Sequence, residues 1–225
     1  MRVPSVYSVL VWSRWLRLAH WSLAVSIFGL LFSGWLLSND PILFASAIDF
    51  HYIFTAIMLP ALILRIYLLL FGRGTDNLRD CELDLHRINQ AFQTIRFYLT
   101  FGKISLPKWY AHNPLWGPIY LFLFFFLILC SLSGFALSYD RLYLANINML
   151  DLHRLSYYSI AGFVLLHLPA VFSHDLSGKC SDVSAMINGN RIFTIEESSI
   201  HSQNNVQTVS LDDLLKSNTK KPQDT

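Results

Sequence analysis

Residues 152–167 read LHRLSYYSIAGFVLLH and set two histidines, His153 and His167, fourteen positions apart in a hydrophobic stretch. A helix rises 1.5 Å and turns 100° per residue, so both imidazoles fall on nearly one face, about 21 Å apart along the axis. Histidine inside a membrane helix is costly and reads as a functional group in need of a partner. Two earlier histidines, His20 and His51, each stand near one end of another hydrophobic segment.

That the segments are membrane helices follows from composition. The 225 residues are 53% hydrophobic and 14% charged, with 17 phenylalanines, whereas soluble domains carry about 25% charged residues. Four apolar stretches, Trp15–Ser38, Phe50–Phe71, Leu115–Ser138 and Leu152–Ser173, each approach the roughly 20 residues that a bilayer core requires. The first is too long for a cleaved signal and lacks a small-residue cleavage pattern. The predicted fold is therefore all-α, a four-helix transmembrane bundle over residues 1–193. Residues 194–225 form a polar tail, expected to be disordered and cytoplasmic.

Lysine and arginine close to helix ends mark the cytoplasmic side. Arg2, Arg14 and Arg17 precede the first helix, and none lies between Asn39 and Asp49. Arg73, Arg79, Arg87, Arg96, Lys103 and Lys108 follow the second helix, and Lys179 and Arg191 follow the fourth. Both termini of a multi-pass membrane protein are thus expected in the cytoplasm. The net charge of +2 follows this sidedness and does not argue for nucleic acid. The histidines now sort by depth: His20 with His167 on the inner side, His51 with His153 on the outer side.

Imidazole is a common axial ligand of haem iron. A lone interfacial histidine such as His51 is ordinarily an aromatic-belt residue, but four at two matched depths suit two stacked haems b. Two imidazoles per iron leave no open site, which favours electron transfer over oxygen chemistry. Arg14, Arg17 and Arg65 on the inner side and Arg141 and Arg154 on the outer are candidate partners for propionates, as well as topology signals. Cys81, Cys130 and Cys180 form no CxxC or CxxCH, so covalent haem, zinc and iron–sulfur sites are unsupported.

Two further patterns carry structural content. Phe32-Ser33-Gly34-Trp35-Leu36-Leu37-Ser38 echoes Leu132-Ser133-Gly134-Phe135-Ala136-Leu137-Ser138. Glycine admits close approach by a helix or a flat macrocycle, so Gly34 and Gly134 are expected to flank the outer haem. Leu85, Ile88, Phe92, Ile95 and Leu99 recur at helical spacing. They predict a short amphipathic helix, either on the cytoplasmic membrane surface or packed on the bundle's inner end. His112 and Asn113, before Pro114, either start the third helix or hydrogen-bond a quinone near the inner haem. His174 reads as a surface histidine, and His86 and His201 as incidental.

These residues resemble the bacterial cytochrome b561 family, which includes the b-type cytochrome subunit of membrane-bound nickel–iron hydrogenases. The resemblance runs from about Trp15 to Phe193. It is carried by Arg17-Leu18-Ala19-His20-Trp21, Arg65-Ile66-Tyr67, Leu78-Arg79-Asp80, His112-Asn113-Pro114-Leu115, Leu132-Ser133-Gly134, the His153–His167 step and Ser184-Ala185-Met186-Ile187-Asn188-Gly189. The family pattern implies the same four histidines as axial ligands. It implies an electron-transfer subunit of a respiratory chain, with catalysis elsewhere, linking a periplasmic partner such as a hydrogenase small subunit to quinone. A stand-alone cytochrome b that oxidises quinol, and a haem-free membrane anchor or transporter, are the competing readings.

Overall fold

The computed structural model describes residues 5–77, 85–100, 102–107, 109–176 and 182–195. Leu78-Arg79-Asp80, Cys81, Cys180, His201 and residues 196–225 of the expected tail lie outside them. The chain divides into two compact units, Ser8–Ile192 and Met1–Tyr7 with Phe193–Thr225. Among the described residues the first holds six helices: α1 Arg14–Asn39, α2 Phe44–Phe71, α3 Leu85–Leu99, α4 Trp116–Ser138, α5 Met149–Leu176 and α6 Asp182–Asn188. Strand β1 Ser5–Leu10 pairs with β4 Asn190–Ile195, and β2 Tyr143–Leu144 pairs with β3 Ile147–Asn148.

Helices α1, α2, α4 and α5 are each long and apolar enough to cross a bilayer. Their flanks carry large exposed apolar side chains such as Phe28, Phe32, Ile63, Phe122, Phe125 and Leu165. Water would not tolerate that surface, whereas lipid matches it. In lipid every backbone group must be satisfied within the protein, and the helix ends show how. Ser13 caps α1 by accepting from the Leu16 amide at 3.1 Å. Asp40 Oδ1 accepts from the Ile42 and Leu43 amides and turns the chain into α2. Asn113 Oδ1 accepts from the Leu115 amide before α4, and Asn148 Oδ1 from those of Leu150 and Asp151 before α5. Between α4 and α5, Ala145 and Asn146 both take positive φ, the two-residue turn that suits a tight hairpin.

These caps move two boundaries. Helix α2 begins at Phe44 rather than Phe50, because Asp49 interrupts the apolar run without interrupting the helix. Helix α5 runs from Met149 to Leu176, past both ends of the apolar stretch, since Asn148 starts it upstream. His51 therefore lies about 10 Å inside its helix rather than at its mouth.

The bundle is two antiparallel hairpins, with α1 close against α2 and α4 close against α5. At Gly29 an added Cβ would run into the Phe54 ring, so this glycine lets α2 lie down on α1. All four helices meet in a mid-bundle core of Leu23, Ile27, Met58, Ala61, Leu62, Leu127 and Ile160.

Helix α3 has the amphipathic register expected. Leu85, Ile88, Phe92, Ile95 and Leu99 all stay exposed, and Thr94 and Phe97 are buried instead. The helix also packs on the bundle's inner end, through Phe97 and Tyr98 against His174 and Trp116, but not through its apolar stripe. The stripe faces outward, as an interfacial helix requires.

Candidate functional site

His51 on α2 and His153 on α5 meet at the end of the bundle where α1 and α4 finish. Their ring centroids are 6.2 Å apart. An imidazole nitrogen bonds a transition metal at about 2 Å, and the ring centre lies about 1 Å further back, so one ion between two imidazoles needs centroids about 6 Å apart. A cavity of about 290 Å³ opens beside the pair, close to the lower end of the roughly 300–1,000 Å³ of small-molecule pockets. Leu31, Thr55, Met58, Leu127, Gly134 and Tyr157 are among its walls. A mostly apolar cavity beside two imidazoles at this spacing is chemically suited to an iron porphyrin.

The ring orientations are set from behind. Nδ1 of His51 is 2.9 Å from the Ser33 hydroxyl on α1. Nδ1 of His153 is 3.0 Å from the Cys130 carbonyl and 3.2 Å from the Ser133 hydroxyl on α4. Each Nδ1 is thus engaged by the preceding helix, so Nε2 is the nitrogen each ring would offer a metal, that of His153 lying 3.9 Å from Cys130 Sγ. The glycines follow suit: a Cβ on Gly134 would lie 3.2 Å from His153 Cε1, and one on Gly34 would lie 3.4 Å from Tyr157 and 3.8 Å from His51 Cε1. Both glycines therefore back the imidazole layer, and of the two Gly134 lines the cavity. Ser33, Ser133, Cys130 and Tyr157 escaped the reading of the sequence. Ser33 and Ser133 carry a signal in the Ser-Gly echo; Cys130 and Tyr157 carry none in local pattern.

At the opposite end, His20 on α1 lies within electrostatic reach of His167 on α5 and of Arg65 on α2. His167 stacks on Phe163 (5.2 Å between centroids) and meets Trp116 and Tyr120 edge-on. Among the described residues its Nδ1 is buried without a hydrogen-bond partner, and so is Nδ2 of Asn113, three residues from Trp116. Arg65 is buried, donates to the Asp76 carbonyl and lies over Phe124.

The other candidates divide. Arg17 donates to the Ile187 carbonyl and Trp21 Nε1 to that of Met186. The closing motif thus serves α1, its helix-end carbonyls finding donors there. His112 is buried with its ring 4.9 Å from Trp12, and Asn113 accepts from the Leu115 amide in the turn before α4. Arg14, Arg141, Arg154 and His86 are exposed. His174 is the correction: it is 3% exposed, not a surface residue. Helix α5 runs on past the apolar stretch and carries it under α3 and α6. There Tyr98 OH is 2.7 Å from its Nε2, and Asp182 is 3.1 Å from its Nδ1. Burial, the main cause, pushes the Tyr98 phenol up to about 12. Arg191 completes the cluster, pairing with Asp182 at 2.9 Å and donating to the Tyr110 carbonyl. Among the described residues no group of three or more histidine, cysteine or acidic side chains forms a metal cluster.

Comparison with known proteins bears on this arrangement directly. The family model described as prokaryotic cytochrome b561 matches residues 11–189. A curated protein of Azotobacter chroococcum mcd 1, named "Probable Ni/Fe-hydrogenase B-type cytochrome subunit", is 28% identical over 224 residues, which cover 85% of this chain and 92% of that protein. No solved structure matches the chain at a comparable level.

Proposed function

The chain belongs to the prokaryotic cytochrome b561 family, and from that footing we propose that it binds two haems b, one at each end of the bundle, and links a periplasmic redox enzyme to the quinone pool. As a family member it is a multi-pass membrane protein that transfers electrons through b-type haem. His51 and His153 hold the haem at the outer, periplasmic end, and His20 and His167 hold the one at the inner, cytoplasmic end. Both termini lie in the cytoplasm.

The observation that carries this reading is the 6.2 Å separation of His51 and His153 with both Nδ1 atoms turned away. When bound, haem iron supplies a one-electron store at each end, and two nitrogen ligands close it to exchange. The residues do the rest. Leu127, Ile160 and Met58 keep the space between the two levels apolar and free of water. Arg65, buried beside His20, supplies a positive charge for an inner propionate and favours the reduced form. Arg154 is the candidate at the outer end; Arg17 is committed in part to Ile187.

A quinone site at the inner end is supported by two orphaned donors. With Nε2 of His167 on iron, its Nδ1 carries a hydrogen with no acceptor, and the Asn113 amide has another. Buried donors seek partners, and a quinone carbonyl accepts hydrogen bonds at both oxygens. The partner at the outer end is proposed to be a nickel–iron hydrogenase, following the name of the Azotobacter relative. The β2–β3 hairpin beside His153, with Tyr143, Leu144 and Ile147 exposed, offers a surface for it.

Replacing His153 with alanine tests the pairing. About half of the reduced b-type absorbance should disappear. Retention of both haems overturns it.

A further inference from the structure

We infer that Ser33 and Ser133 are positioning residues for the outer haem, a pair of hydroxyls that fix the tautomer and set the donor strength of His51 and His153. The inference rests on the two-haem reading and adds to it a division of labour inside the outer site.

The argument begins with what a serine does in a lipid-buried helix. Its hydroxyl hydrogen needs an acceptor, and the carbonyl three or four residues back supplies one. Ser133 Oγ donates to the Leu129 carbonyl at 2.7 Å, and Ser33 Oγ to that of Leu30 at 3.3 Å. With its hydrogen spent, the Ser133 hydroxyl presents only lone pairs to His153, so Nδ1 is the protonated nitrogen there and Nε2 carries the lone pair that iron needs. At His51 the Ser33 contact of 2.9 Å is shorter than the Ser33–Leu30 one, and iron on Nε2 makes Nδ1 the donor to the hydroxyl. The Cys130 carbonyl, purely an acceptor 3.0 Å from His153 Nδ1, requires the same tautomer independently.

Four buried serines separate this role from ordinary packing. Ser26, Ser33, Ser133 and Ser156 are all at most 1% exposed, and all donate back to their own helix. Among them Ser33 and Ser133 also meet a histidine. They occupy equivalent places in the two halves of the chain, one on the first helix of each hairpin, facing the histidine of the second. Each is followed by a glycine whose missing side chain leaves room for the ring. Ser-Gly on one helix and His on the next is thus a unit used twice.

The two units are not equal. Nδ1 of His153 has a carbonyl and a hydroxyl, with Cys130 Sγ at 3.6 Å. Among the described residues His51 Nδ1 has the Ser33 hydroxyl alone. A hydrogen bond from Nδ1 makes the imidazole a stronger donor and stabilises ferric iron, and losing such a partner typically costs about 10- to 100-fold in metal affinity. The Ser33→Ala variant therefore bears the larger effect, and Ser133→Ala a smaller one, buffered by the carbonyl.

Potentiometric titration of the purified full chain, followed by carbon monoxide addition to the reduced protein, reads this out. In Ser33→Ala one of two midpoints should rise, by about 59 mV if the ferric preference falls tenfold. Carbon monoxide should bind that haem as His51 loosens. Ser133→Ala should shift the same midpoint less, Ser33→Thr should restore it, and Ser26→Ala should leave both midpoints in place. Two haems with unshifted midpoints in Ser33→Ala, or an equal shift in Ser26→Ala, overturns the inference alone. A wild-type chain without two b-type haems overturns the reading beneath it as well.

Discussion

Gly134 offers the most exact test of how tightly the outer imidazole layer is built. An alanine Cβ there would stand 3.2 Å from His153 Cε1, where ordinary contact begins at 3.4 Å. The ring must retreat by at least the 0.2 Å between those two distances. Metal–ligand distances hold to about ±0.2 Å, so Gly134→Ala brings the bond to its limit without breaking it. Overpacking of this kind costs about 1–3 kcal/mol, or about a 5- to 150-fold weaker hold on the group. Gly134→Leu, with three more carbons aimed at the same ring, exceeds any retreat open to it. Gly34 is the matched control: an alanine there finds His51 Cε1 at 3.8 Å and Tyr157 at 3.4 Å, both ordinary contacts. The assay is haem per polypeptide by pyridine haemochrome, with the reduced-minus-oxidised spectrum. Gly34→Ala should keep both haems, Gly134→Ala should keep both with one band displaced, and Gly134→Leu should keep one. Two intact haems in Gly134→Leu would refute the reasoning.

Other perturbations reach other parts of the molecule. Arg65→Leu removes a buried positive charge beside His20, and a nearby cation favours ferrous over ferric iron. The midpoint of the inner haem should fall by tens of millivolts while the outer one stays put. Equal movement of both would be the contrary result. Tyr98 is held neutral up to about pH 12, against about 10 in an unfolded chain. Between those values the unfolded state binds fewer protons than the folded one, so stability falls as pH rises. Thermal melts from pH 9 to 12 should show a component of that decline absent from Tyr98→Phe, and parallel profiles would contradict it.

The approach of His51 to His153 was legible in the sequence because helix geometry turns spacing into depth. His153 and His167 on one helix set two levels, and lysine and arginine alone assigned His51 and His20 to them. Four spans were readable from composition for a similar reason, since lipid demands a long apolar run. The helix ends were less readable. Asp49 ends a hydrophobic stretch, yet the hydrogen-bonded helix continues through it to Phe44. His174 is a further case: it sits past the apolar run, where Tyr98 from far up the chain and Asp182 from the next helix cover it. Such cover is invisible in local pattern. Ser33 and Ser133 were in plain view within the Ser-Gly echo. Only the facing helix shows that their hydroxyls meet histidine nitrogens.

Iron counted per chain tests the central claim most directly. The purified full-length protein, examined by haem analysis and low-temperature electron paramagnetic resonance, should carry two haems b, both low-spin with two imidazole ligands. A single haem, or a high-spin signal from an iron with an open position, would contradict it.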